Sequence, residues 1–221
     1  MKFKFVTSVL VFLLTFNFTT TIYSTGYSPL AGKVIVIDPG HGGIYPGAVI
    51  NGVREADITL AVARKLRYRL IRSGAMVILT RVSDTNVAGP RTSRTTDLQA
   101  RVNIARFSQA NIFVSLHANS TPDSRTAGAI SFFPVGRSSH LAQVIQQSLI
   151  WETHATNGGV RPADFYVLKN NPVPSALIEI GFLTNPIESS HLTNALYQNQ
   201  LADGIYSGIY CYFLGRYPHL L

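Results

Sequence analysis

Short β-branched runs alternate with apolar stripes at helical spacing along most of this chain, and that alternation leaves few folds open. Residues 34–37, "VIVI", read as a buried strand. Residues 57–73 follow as a helix, with Ile58, Val62, Leu66 and Leu70 building one stripe and Gly74 ending it. Residues 76–80 give a second strand. The stretch "SDTNVAGPRTSRTT" is a loop by its Ser, Thr, Gly and Pro content. A helix over residues 97–108 is predicted, with Thr95 or Thr96 as N-cap. Residues 112–116 form a strand that ends at His117, and residues 129–133 form another. Residues 138–151 are helical, with Leu141, Ile145 and Leu149 on one face. Residues 176–180 read as a strand, and "FLTNPIESS" turns the chain. Leu201, Ile205, Ile209 and Phe213 mark a closing helix. Strand and helix in alternation predict an α/β fold, a mixed, largely parallel sheet flanked by helices on both faces. In such sheets chemistry gathers beyond the carboxyl ends of the strands.

The first residues break this pattern. Lys2 and Lys4 precede an apolar stretch over residues 6–14, the layout of a secretory signal. The stretch is short of the about 20 apolar residues of a spanning helix. No clean A-x-A site follows it, so residues 1–25 are expected to be a signal peptide or an N-terminal membrane anchor, and residues 26–221 the folded domain. With 46% hydrophobic and 14% charged residues the chain has material for a sizeable core. Its single cysteine, Cys211, excludes an intramolecular disulfide and a cysteine-based zinc cluster. The formal net charge of +8 fits an anionic wall polymer or membrane surface as well as nucleic acid. The cluster Arg64, Lys65, Arg67, Arg69 and Arg72 is the polar face of one helix, so nucleic acid is not expected as a partner.

Four titratable residues share one placement. In "KVIVIDPGHGG" His41 follows a strand, and Gly40, Gly42 and Gly43 leave room around its imidazole. In "FVSLHANS" His117 follows another. Glu55 stands immediately before the first helix, and Glu179 lies at the end of the strand in "ALIEIGF". Two histidines and one glutamate, with an open fourth position, are a common catalytic zinc set. A second carboxylate can then shuttle a proton from water to a leaving amine. The spacing is no compact motif, and a structural reading stands beside it. His41 and His117 would then satisfy loop backbone, and Glu55 would favour the positive helix end. Glu179 would pair with Arg81 or Arg101. His140, His154, His191 and His219 are expected at the surface.

Six stretches occur here in an order that resembles one family. They are "VIVIDPGHGG", "READITLAVARKL", "VILTR", "DLQARVNIAR", "ANIFVSLHANS" and "ALIEIGFLTNP". The family is the zinc-dependent N-acetylmuramoyl-L-alanine amidases of the type-3 class, and the resemblance covers residues 33–213. It implies one Zn2+ ion held by His41, Glu55 and His117, with Glu179 as the catalytic glutamate. It implies hydrolysis of the amide between the lactyl group of N-acetylmuramic acid and the L-alanine of the peptidoglycan stem. Asn119 is a candidate substrate contact, with a loop-structural role as its alternative. "SPLAGKVIVIDPGHGG" and "TTDLQARV" look most like the germination-specific members of spore formers. The expected partner is peptidoglycan, with an accessory protein left open and the membrane met only through the N-terminal segment. A monomer is expected, exported to the cell wall, periplasm or spore cortex. One departure is Tyr45, which stands before "PGA" where relatives often carry an acidic residue. The short link over residues 120–127 leaves no spare helix to plug the metal site, as some relatives have. Rival readings are another zinc peptidoglycan hydrolase, such as a carboxypeptidase, and a non-catalytic wall-binding protein.

Overall fold

The computed structural model describes residues 28–218, so the expected signal or anchor segment and His219 lie outside the described residues. The chain runs β1 (Val34–Pro39), a short hairpin of β2 (Val49–Ile50) and β3 (Val53–Arg54), then α1 (Glu55–Arg72) and β4 (Met76–Leu79). It continues through α2 (Arg94–Phe107), β5 (Ile112–Asn119), β6 (Ala129–Pro134), α3 (His140–Thr153) and β7 (Asn157–Ala163). It closes with α4 (Tyr166–Lys169), β8 (Ser175–Phe182), α5 (Pro186–Thr193) and α6 (Ala195–Leu214). The main sheet has the order β4-β1-β5-β8-β6-β7. Its pairs are parallel except β6 against β8, so the sheet is mixed and largely parallel, as the alternation predicts.

Alternate side chains of the inner strands feed two layers, as the pleat requires. Ile35, Ile37, Val114, Leu116, Ile178 and Ile180 face α1, α3 and α6 in the larger core. Val36, Phe113 and Leu177 face α2 and α4 in the smaller one. The predicted stripe Ile58, Val62, Leu66 and Leu70 is wholly in the larger core. At Gly208 of α6 an added methyl would overlap the backbone of Ile145, so α3 and α6 pack backbone to backbone there.

Several local features differ from the sequence reading or go beyond it. The α2 cap is Ser93, whose hydroxyl accepts from the Thr96 amide 3.1 Å away, rather than Thr95 or Thr96. The "NPIESS" turn is a helix, α5, started by Asn185 accepting from the amides of Ile187 and Glu188, with Pro186 in the first turn. Only Leu192 of α5 is buried, so no apolar stripe announces it. Strand β7, with sequence "NGGVRPA", is rich in poor strand formers. It survives because it is an edge strand, where Pro162 has no ladder to break on its outer side. His140 is half-buried against the rings of Tyr212 and Tyr217, while His154 and His191 are exposed as expected.

Candidate metal centre

The parallel register carries the site. β1 ends at Pro39, and Gly40 and His41 follow at once. His41 adopts a left-handed backbone (φ 64°), which a β-carbon disfavours. The strain is held by two buried guanidinium groups. Arg81 donates to the carbonyls of Pro39 (2.9 Å), Gly40 (3.0 Å) and Ala56 (2.7 Å). Arg101 donates to the carbonyls of Pro39 (2.9 Å) and His41 (2.7 Å). Arg101 is itself fixed by Asp38 at 2.8 Å and Asp97 at 3.0 Å. Asp38 accepts in addition from the hydroxyls of Thr80 and Ser115. Three consecutive carbonyls of the His41 loop are thereby clamped from beneath.

His117 lies within β5 rather than past its end, and Glu179 lies within β8 rather than at its end. The two are directly paired across the parallel ladder. The ladder shifts between His117 and Asn119, an irregularity of the kind that re-aims side chains near sites. Glu55 is the first residue of α1. Its Oε2 lies 3.1 Å from His41 Nε2, and its Oε1 lies 2.9 Å from His117 Nδ1. The carboxylate also accepts from the backbone amides of Ala48 (3.0 Å) and Ala118 (3.1 Å). Burial opposes its charge, but the two imidazoles hold the Glu55 carboxyl well below the usual carboxylate range. Burial likewise opposes a charged His117, yet the hydrogen bond and charge of Glu55 raise its pKa.

His41, Glu55 and His117 place one ligand atom each within 4.8 Å of one another. Tetrahedral coordination at about 2.0–2.1 Å per ligand puts neighbouring ligand atoms about 3.3 Å apart. The His41–Glu55 separation of 3.1 Å suits that spacing. Two glycines leave the space. A methyl at Gly40 would overlap the His117 ring, and one at Gly47 would overlap Glu55 and His41. The expectation that Gly40, Gly42 and Gly43 surround the His41 ring is thus corrected. Gly40 makes room for His117, while Gly42 and Gly43 lie against Arg81 and Asn86, and Gly47 does the work at His41.

Glu179 shares a cleft of about 260 Å³ with the triad. Its Oε2 is buried and has no hydrogen-bond partner among the described residues. Arg81 and Arg101, the structural partners that the sequence left open, are engaged elsewhere. Burial raises the Glu179 carboxyl to about 7; the charge on His117 pulls against this, and the nearby Glu55 carboxylate adds to it. An orphaned carboxylate oxygen beside two imidazoles and a carboxylate fits a site built to take a cation and a polar reactant. A larger cavity, about 820 Å³, borders α5 and α6 and holds none of these four residues. Asn119 borders the cleft and accepts from the Ser120 amide through its own side chain. Tyr45, the departure from the family pattern, donates its hydroxyl to the carbonyl of Thr92 and ties the His41 loop to the loop before α2. Residues 120–128 connect β5 to β6 without a helix, so among the described residues no helix from that link plugs the cleft. Sequence reasoning missed the clamp and Gly47. The asymmetry was available, since Arg81 and Arg101 follow or sit inside apolar elements where a charge needs partners.

The arrangement has counterparts in known proteins. A profile of the family described as N-acetylmuramoyl-L-alanine amidase, type 3, matches residues 35–211. The germination-specific N-acetylmuramoyl-L-alanine amidase of Bacillus subtilis (strain 168) is 38% identical over 214 residues, covering 93% of this chain and 90% of that protein. The N-acetylmuramoyl-L-alanine amidase LytC of the same organism is 35% identical and spans 84% of this chain but 36% of its own length. Among solved structures, the CwlD amidase of Clostridioides difficile, in complex with the GerS lipoprotein, superposes with a TM-score of 0.78 at 40% identity. That match covers 83% of this chain and 99% of CwlD. With the profile spanning residues 35–211 and the germination-specific relative matched over 90% of its length, this chain belongs to the type-3 N-acetylmuramoyl-L-alanine amidase family.

Proposed function

We propose that this chain hydrolyses the lactyl–L-alanine amide of peptidoglycan with one zinc ion held by His41, Glu55 and His117. Zinc, when bound there, supplies Lewis-acid chemistry, polarising a carbonyl and bringing the pKa of water towards about 7. The chain's own residues do the rest. The two imidazoles and Glu55 offer neutral and anionic donors on rigid elements, fixed by the Ala48 and Ala118 amides and by the arginine clamp. Glu179 takes a proton from the attacking water and delivers it to the alanine nitrogen, because an amine leaves only when protonated. Burial favours the protonated form of Glu179 and the positive charge of a bound zinc would favour its carboxylate, so the group can serve both halves of that transfer. The observation that carries the reading is the partnerless Glu179 oxygen in the cleft of the triad.

The test is product analysis. Residues 26–221 are incubated with purified peptidoglycan, with and without chelator, and products are identified by mass. Stem peptides with a free N-terminal alanine, lost on chelation and restored by zinc, are expected. A released terminal amino acid would instead indicate a carboxypeptidase, and no product would favour a wall-binding protein. We further infer that residues 1–25 direct export and that residues 26–221 are the catalytic unit. The basic start and apolar run of the segment support this, as do relatives named for cell-wall and germination roles. No described helix is long and apolar enough to cross a membrane. The CwlD–GerS complex supports an accessory protein among the partners.

A further inference from the structure

The cleft of the triad has one cationic side chain to spare. Arg94 borders it together with Leu98, Asn119, Phe165 and Tyr166. Arg81 and Arg101 are committed to the His41 loop, and Arg54 is paired with Asp57 and Asp84. Arg94 is exposed and has no ion-pair or hydrogen-bond partner among the described residues. Its own helix does not explain it, since α2 begins at Arg94 and the first turn of a helix disfavours a cation. Ser93 already caps that helix.

We propose that Arg94 is a specificity-determining residue that reads a substrate carboxylate on the peptide side of the scissile amide. This rests on the amidase reading above. A cleft of about 260 Å³ holds only the atoms around the reacting bond, so a residue on its border reaches groups a few bonds away. The sugar half of the substrate is uncharged there, because its lactyl carboxyl is consumed in the amide. The peptide half is anionic. The second stem residue, a glutamate joined through its γ-carboxyl, carries the nearest free carboxylate, on its α-carbon. A guanidinium meets a carboxylate with two parallel N–H donors, which fixes direction as well as charge. Arg94 thereby orients the bond, with the peptide towards α2 and the glycan away from it.

The experiment uses a disaccharide-tetrapeptide whose second residue bears either a free α-carboxylate or an α-carboxamide. The unmodified catalytic unit should cleave the carboxylate form with kcat/KM about tenfold higher, the difference residing in KM. In Arg94→Gln the two substrates should converge, and in Arg94→Lys the preference should return in part, since charge is kept and the fork is lost. Equal rates on both substrates by the unmodified protein, or a preference that persists in Arg94→Gln, would overturn the assignment. Cleavage of neither substrate by the zinc-loaded protein would overturn the amidase reading itself and the role of Arg94 with it.

Discussion

Asp38 shows how much of the site depends on residues that touch no substrate. It is buried, and burial alone would favour its neutral form. The charge of Arg101 and the hydroxyls of Thr80 and Ser115 outweigh that and lower its pKa. A carboxyl depressed in the folded state contributes stability that is present above its unfolded value, about 3.9, and lost as the pH falls through the folded one. Asp38→Asn should therefore cost about 3 kcal/mol at pH 6, because it takes one carboxylate from a buried pair. The gap should narrow at pH 3, because the unfolded chain takes up a proton there that the depressed folded carboxyl resists. Urea denaturation of both proteins at the two pH values measures this, and an equal gap at each would contradict the assignment. The sequence placed His41, Glu55, His117 and Glu179 at or near strand and helix ends, because those ends are visible as breaks in apolar periodicity. The clamp was not legible in the same way. Asp38 and Arg101 are 63 positions apart, and nothing in local spacing pairs them.

Elements with one buried face were legible, and elements without one were not. The helix stripes of α1, α3 and α6 follow from every-fourth-residue spacing, because each helix must bury a face on the sheet or its neighbour. The helix α5 has a single buried residue and depends on its Asn185 cap and first-turn Pro186, so periodicity misses it. The edge strand β7 is held by pairing with β6, a tertiary fact that its glycines and proline conceal. Strand length was also underestimated at β5 and β8. Both run past the predicted ends, because His117 keeps its ladder pairing to Glu179 and Asn119 pairs with Phe182 beyond it. That pairing matters to the chemistry. It sets the proposed base beside a proposed ligand on two rigid strands rather than on loops.

At the scale of the whole molecule, the sheet order brings distant segments to one place. The loop after β1 supplies His41, the adjacent β5 supplies His117, α1 supplies Glu55 and the neighbouring β8 supplies Glu179. All four residues of the proposed site thus lie within the described residues, and the proposed role of the N-terminal segment is location. A reporter fused after Leu30 should appear outside the cytoplasm of a bacterial host, and a wholly cytoplasmic reporter would rule export out.

The central claim is a division of labour, with metal binding at His41, Glu55 and His117 and proton transfer at Glu179. Zinc per chain and peptide release, measured together on Glu179→Gln with Glu55→Gln beside it, test this most directly. Glu179→Gln should keep its zinc, because the three ligands remain, while release falls by roughly 10²–10⁴. Glu55→Gln should lose zinc affinity, because an anionic ligand becomes neutral. A Glu179→Gln protein that sheds its zinc while Glu55→Gln retains it would reverse the roles. Normal release by Glu179→Gln would place the proton carrier elsewhere.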